Sequence, residues 1–127
     1  MKLGYEMLVI AAGGACGAVM RYLVTISSTW FFKGEFPWGT FVANLLGCLL
    51  IGLLIGSGHD QKNEVVRLGF GVGFLGSLTT FSTFGGETIR HALDGNWSMA
   101  TINVISHFLI CLAAVAIGIA IAKKVWA

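Results

Sequence analysis

The chain has 127 residues, 56% of them hydrophobic and only 11% charged, with a net charge of +2. Soluble domains carry about 25% charged residues, so too few are present here to dress a water-facing surface. A soluble enzyme, a nucleic-acid binder and a disordered chain are excluded; four membrane helices of about 20 residues would leave only short loops and ends.

Charges punctuate the chain and place spans near 5–29, 37–57, 66–90 and 97–123, joined by short polar connections around 30–36, 58–65 and 91–96. These form one four-helix transmembrane domain over 1–127, with no soluble domain on either face. The first span follows Lys2, but Glu6 interrupts its start and Gly13-Gly14-Ala15-Cys16 lacks a cleavage pattern, so it reads as a retained helix and not a signal peptide. Eighteen glycines stand against one proline. Gly13 and Gly17, Gly52 and Gly56, and Gly69 and Gly73 are each four apart, on one helix face, which suits helices packed backbone to backbone. Cys16, Cys48 and Cys111 are widely spaced in apolar stretches, fit neither a disulfide framework nor a zinc site, and read as small packing residues.

Lys2, Lys62, Arg67, Lys123 and Lys124 fall on one side of such a bundle. Lys33 and Arg90 fall on the other, with Arg21 if it snorkels that way. That bias is weak under the positive-inside rule and permits insertion in both orientations. Two inverted copies would then supply the symmetry that many transporters build from internal repeats, and no repeat is present here.

Chemistry concentrates in the third segment, Gly76-Ser77-Leu78-Thr79-Thr80-Phe81-Ser82-Thr83-Phe84-Gly85-Gly86. The run is poor helix, so an unwound stretch is expected near Gly76–Thr80, buried in the assembly, with carbonyls suited to a small cation. Equally open is a helix merely bent by hydroxyls that bond back to it. Phe81 and Phe84, three apart, share a face if helix resumes there; they pack as core, or turn positive ring edges toward an anion. In the second span, Asn44 and Thr40 lie on one face, either lining a pathway as donors or holding helices together. In the fourth, Asn103, His107 and Cys111 form a polar stripe at four-residue spacing, suggesting a wet groove. His107 reads equally as a satisfied interhelical group. Arg21 and Glu87 are the deepest charges. Arg21 is placed to draw anions into a vestibule, and Glu87, beside Gly85-Gly86, at a helix end near water.

Gly13-Gly14-Ala15-Cys16-Gly17-Ala18 followed by Arg21-Tyr22 resembles the first-helix motif of the Fluc (CrcB) family of fluoride channels. Gly39-Thr40-Phe41-Val42-Ala43-Asn44-Leu45-Leu46-Gly47 is similar to its second motif, and Thr79-Thr80-Phe81-Ser82-Thr83-Phe84 to its most specific one. The resemblance implies an all-α, four-span membrane protein with a broken third helix, assembled as a dual-topology antiparallel homodimer with two fluoride pores. Phe81 and Phe84 would be the pore phenylalanines and Asn44 the pore asparagine, with Ser82 and Thr83 on the pore side. Glu87 would match a carboxylate farther along the broken helix, and Arg21 the first-helix arginine. Gly76 and Thr79 would give carbonyls to a structural sodium ion (Na+) at the dimer centre. Asn103, His107 and Cys111 are assigned to the polar track of the fourth helix, where a thiol is a poorer donor than a hydroxyl.

The function expected is passive, fluoride-selective export across a bacterial cytoplasmic (inner) membrane, which lowers fluoride toxicity; the partners are fluoride, lipid and a second copy, with no nucleic acid. A proton-coupled small multidrug exporter would need a titratable carboxylate deep in the bundle, and only Glu6 and Glu87 lie in or near the spans. A non-transporting membrane scaffold would have no use for a broken polar helix. No nucleophile–base pair stands at credible spacing for an enzyme.

Overall fold

A computed structural model describes residues 2–126, and among these every regular element is helical. Helix α1 (Lys2–Phe31) is followed by α2 (Trp38–Ser57) and the single turn α3 (His59–Lys62). A π-helical segment, Val66–Leu75, runs into α4 (Gly76–Leu78), and α5 (Phe81–Leu93) follows. Helix α6 (Trp97–Ser106), a π-helical stretch His107–Cys111 and α7 (Leu112–Trp126) form one continuous rod. Three helices are long and apolar enough to cross a membrane: Lys2–Phe31, Trp38–Ser57 and Trp97–Trp126.

Local chemistry sets the boundaries. Pro37, which lacks an N–H, precedes α2. Gly58 ends that helix in the left-handed region (φ 67°, ψ 11°), and its N–H reaches the Ile55 carbonyl. The Asn63 side chain accepts from the amides of Val65 and Val66 at 3.0 and 3.2 Å, starting the π-helical segment. Asn96 caps α6 by accepting from the Met99 amide at 3.2 Å.

Two close seams hold the bundle. A Cβ at Gly13 would fall on the Gly69 carbonyl, and one at Gly17 on the Phe74 carbonyl, so α1 lies directly against the π-helical segment. A Cβ at Gly52 would fall on the Val115 carbonyl, one at Gly56 would approach Ile119 to 2.8 Å, and one at Gly118 would fall on Leu49. Helices α2 and α7 therefore run parallel in backbone contact. The large apolar core is small, centred on Leu54, Leu75 and Leu78. Most other large apolar side chains face outward, including Leu8 at 71% exposure, Trp30 at 76% and Leu112 at 62%. Water tolerates no such continuous apolar surface, whereas hydrocarbon requires it.

The two ends of the bundle are distinct. Lys2 pairs with Glu64 at 3.5 Å and Arg67 with Glu64 at 3.8 Å, bringing the start of α1 to the α3 turn. His59 stands 6.2 Å from Trp126 by ring centroids, at the same end. At the opposite end the Asn96 amide donates to Glu35 at 2.7 Å. The long elements thus alternate in direction.

Candidate functional site at the Thr79–Thr80 interruption

Helix stops at Leu78 and restarts at Phe81; Thr79 (φ −82°, ψ 156°) and Thr80 (φ −153°, ψ 111°) are extended between them. The sequence led us to expect unwinding from Gly76, but Gly76–Leu78 is α-helical and only the two threonines leave the helix. Asn44 explains the position. Its Oδ1 accepts from the Thr80 amide at 2.7 Å and its Nδ2 donates to the Thr80 carbonyl at 3.2 Å, so one buried side chain replaces the helical partner of that amide and adds a donor to a carbonyl that also opens α5. Leaving that amide bare would cost about 1–3 kcal/mol. Thr80 in turn caps α5: its Oγ1 accepts from the Thr83 amide at 3.2 Å and lies 3.0 Å from Thr83 Oγ1 and 3.3 Å from Ser82 Oγ.

Two carbonyls are released as a result. The Thr80 amide would serve the Gly76 carbonyl in an unbroken helix, and the Thr83 amide would serve the Thr79 carbonyl; both are engaged elsewhere. A Cβ at Gly76 would meet nothing within 4 Å, so the space beside it is open. Main-chain oxygens without helical partners suit a hard cation. Arg21 also reaches this point, its Nη1 3.5 Å from the Thr79 carbonyl.

A cavity of about 500 Å³ opens beside the interruption and brings Asn44, Phe81, Phe84 and His107 together, with Gly76, Thr79 and Cys111 also on its walls. Phe84 is buried and Phe81 is 80% exposed, their rings 5.4 Å apart. The His107 ring lies 4.5 Å from Phe84 and edge-on to Phe41 at 5.3 Å. His107 Nδ1 is 3.0 Å from the Asn103 carbonyl, which can only accept, so Nδ1 carries the hydrogen. In the neutral ring Nε2 then presents a lone pair, and it is buried without a partner. Asn103 is fully buried; its Nδ2 donates to Thr88 Oγ1 at 2.9 Å, tying α6 to α5.

Thr40 and Glu87 lie on a second cavity of about 450 Å³, whose walls also include Thr25, Lys33 and Trp38. The Thr40 hydroxyl donates to Glu87 Oε1 at 2.7 Å, while Oε2 is buried without a partner. This corrects the placement of Glu87 at a helix end near water: it is half-buried within α5 and bonded across to α2. Thr40 and Asn44 do share a face of α2, yet each hydrogen-bonds across to the third segment, Asn44 at the interruption and Thr40 farther along α5. Ser82 and Thr83 are exposed at the start of α5 and line neither cavity.

Three contributors were missed in the sequence. Phe41 walls His107, Thr88 links Asn103 to α5, and Cys48 stands in the same cavity as Cys111. Thr88 was within reach, four residues after Phe84 on one face of α5. Both thiols stand on the wall of that cavity.

An all-helical fold with an outward apolar surface and a polar interruption between helices defines an integral membrane protein. Residues 8–119 match the CrcB-like protein family (Camphor Resistance, CrcB). The chain is 40% identical over 114 residues to the fluoride-specific ion channel FluC of Shewanella baltica, covering 89% of this chain and 92% of that one. The fluoride-specific ion channels FluC of Shewanella sp. and Shewanella oneidensis match at the same identity and coverage. The chain belongs to the CrcB family.

Proposed function

We propose that the protein is a passive fluoride channel, not an enzyme, that lets fluoride leave a bacterial cytoplasm across the inner membrane. The observation that carries this reading is the identity to fluoride-specific ion channels along 89% of the chain. Fluoride exit needs no energy source, because a negative cell interior drives an anion outward. The pathway runs past the interruption. One Nδ2 hydrogen of Asn44 is free of Thr80 and donates to the ion, and the ring edges of Phe81 and Phe84 face it. Ser82 and Thr83 hydroxyls continue the donor series along the start of α5, and His107, Asn103 and Cys111 border the passage from the fourth span. Arg21 attracts anions toward the entrance, and the Thr40–Glu87 pair borders the second cavity.

The third segment, Val66–Leu78 with Phe81–Leu93, is the fourth membrane crossing, broken at Thr79 and Thr80. Two copies assemble antiparallel, one in each orientation. The outer face of α5 supports this: Phe81 is 80% exposed, Ile89 59% and Leu93 82% in a single chain. The released carbonyls of Gly76 and Thr79 hold a sodium ion at the centre of that dimer. When bound, the ion supplies positive charge that offsets converging carbonyl dipoles.

Growth tests the reading. In a bacterial strain stripped of its own fluoride exporters, expression of this protein restores growth on millimolar-range fluoride. Growth no better than the empty strain, with the protein present in the inner membrane, contradicts it.

A further inference from the structure

Cys48 and Cys111 occupy the cavity beside Phe84 and His107, and the pathway as described gives Cys48 no role and Cys111 a weak one. Their pairing follows from the seam between α2 and α7. Gly52 meets Val115 and Gly56 meets Ile119, so the helices advance in step; one turn earlier the same register brings Cys48 to Cys111. Both residues line the cavity, and α2 packs against the His107–Cys111 stretch. Cys111 is buried, Cys48 is half-buried, and both are free thiols.

Two facing thiols with apolar walls select their ligand closely. Among the described residues no group of three His, Cys, Asp or Glu side chains converges, so the three or four ligands of a zinc site are not supplied. A soft ion content with two sulfur ligands is required. A monovalent ion such as Ag(I) would leave a bis-thiolate with net negative charge, which is costly in so dry a place. A divalent one leaves a neutral complex.

We infer that Cys48 and Cys111 form a binding site for a two-coordinate, thiophilic divalent cation of the Hg(II) type, and that its occupation closes the passage beside Phe84. With mercuric chloride, each thiol gives up its proton, two Hg–S bonds replace two Hg–Cl bonds, and two equivalents of HCl leave; no atom changes oxidation state. Closure rests on the fluoride-channel reading, whereas binding does not.

The test measures both. Mercuric chloride is titrated into the detergent-purified protein while ultraviolet mercury–thiolate absorption is followed. The same reagent is then added to vesicles releasing fluoride. A Cys16→Ala protein, lacking only the exposed thiol of α1, is expected to bind one mercury per chain and to lose at least 90% of its efflux, with recovery in dithiothreitol. Cys48→Ser and Cys111→Ser, each in the Cys16→Ala background and scored against its own untreated rate, are expected to need at least tenfold more mercury. Cys48→Ala provides a second variant at that position. Unchanged mercury sensitivity in these variants would overturn the site, as would its loss in Cys16→Ala alone. Stoichiometric binding with efflux intact would overturn closure. Absence of fluoride efflux before any mercury is added would instead count against the channel reading, with the absorption titration still deciding the site.

Discussion

The α2–α7 seam and the Thr79–Thr80 interruption sit side by side, and they are held by opposite means. Along the seam, Gly52, Gly56 and Gly118 remove side chains so that backbones touch, and its cohesion is dispersion between close-packed atoms. At the interruption, the Asn44 side chain and the Thr80 hydroxyl stand in for lost helical partners, with the Thr83 and Ser82 hydroxyls beside that of Thr80. The seam tolerates no added volume but makes no demand on polarity. The interruption demands particular donors and acceptors. A bundle this thin combines the two because the rigid seam fixes Asn44 on α2 at the height where the third segment must open.

Substitutions can pull the two regions apart. The largest effect is expected for Gly52→Leu, whose side chain would be driven into the Val115 carbonyl; stability should fall by about 3 kcal/mol or more, read as loss of the monodisperse peak after heating. Asn44→Leu keeps volume but leaves the Thr80 amide bare, costing about 1–3 kcal/mol in the same assay. Asn44→Asp sharpens the point: a carboxylate still accepts from the Thr80 amide, but it buries a charge and sets an oxygen against the Thr80 carbonyl, so its loss should be at least as large. Thr80→Val removes the α5 cap for about 1 kcal/mol. Amide exchange at Thr83 should then quicken about fivefold while the seam stays protected. Smallest is Glu35→Ala, which releases the exposed bond to Asn96 at the loop end and should shift stability by about 0.5 kcal/mol or less.

The seam was far more legible in the sequence than the interruption. Four-residue glycine spacing is a local pattern, and Gly13, Gly17, Gly52, Gly56, Gly69 and Gly73 all meet a neighbour closely in the fold. What the pattern lacked was the partner: nothing local points from Gly52 to Val115. Poor helix propensity marked the right stretch of the third segment but set the opening too early. Gly76–Leu78 stays helical because the deciding bond comes from Asn44, a residue on another helix. Glu87 was misplaced for the same reason, since its partner Thr40 lies far back in the chain. The two π-helical stretches left no readable mark, because widening a helix by one residue per turn depends on packing and not on composition.

The central claim is that fluoride passes the interruption between Phe81, Phe84 and Asn44. The most direct measurement is anion efflux from vesicles loaded with potassium fluoride or potassium chloride, with valinomycin present and the anion followed by electrode. Wild-type protein should release fluoride and retain chloride, and Phe81→Ile and Phe84→Ile, eluting as wild type does, should retain both. Fluoride release as fast in both variants as in wild type would place the pathway elsewhere, and retention of fluoride by wild type would remove the function itself.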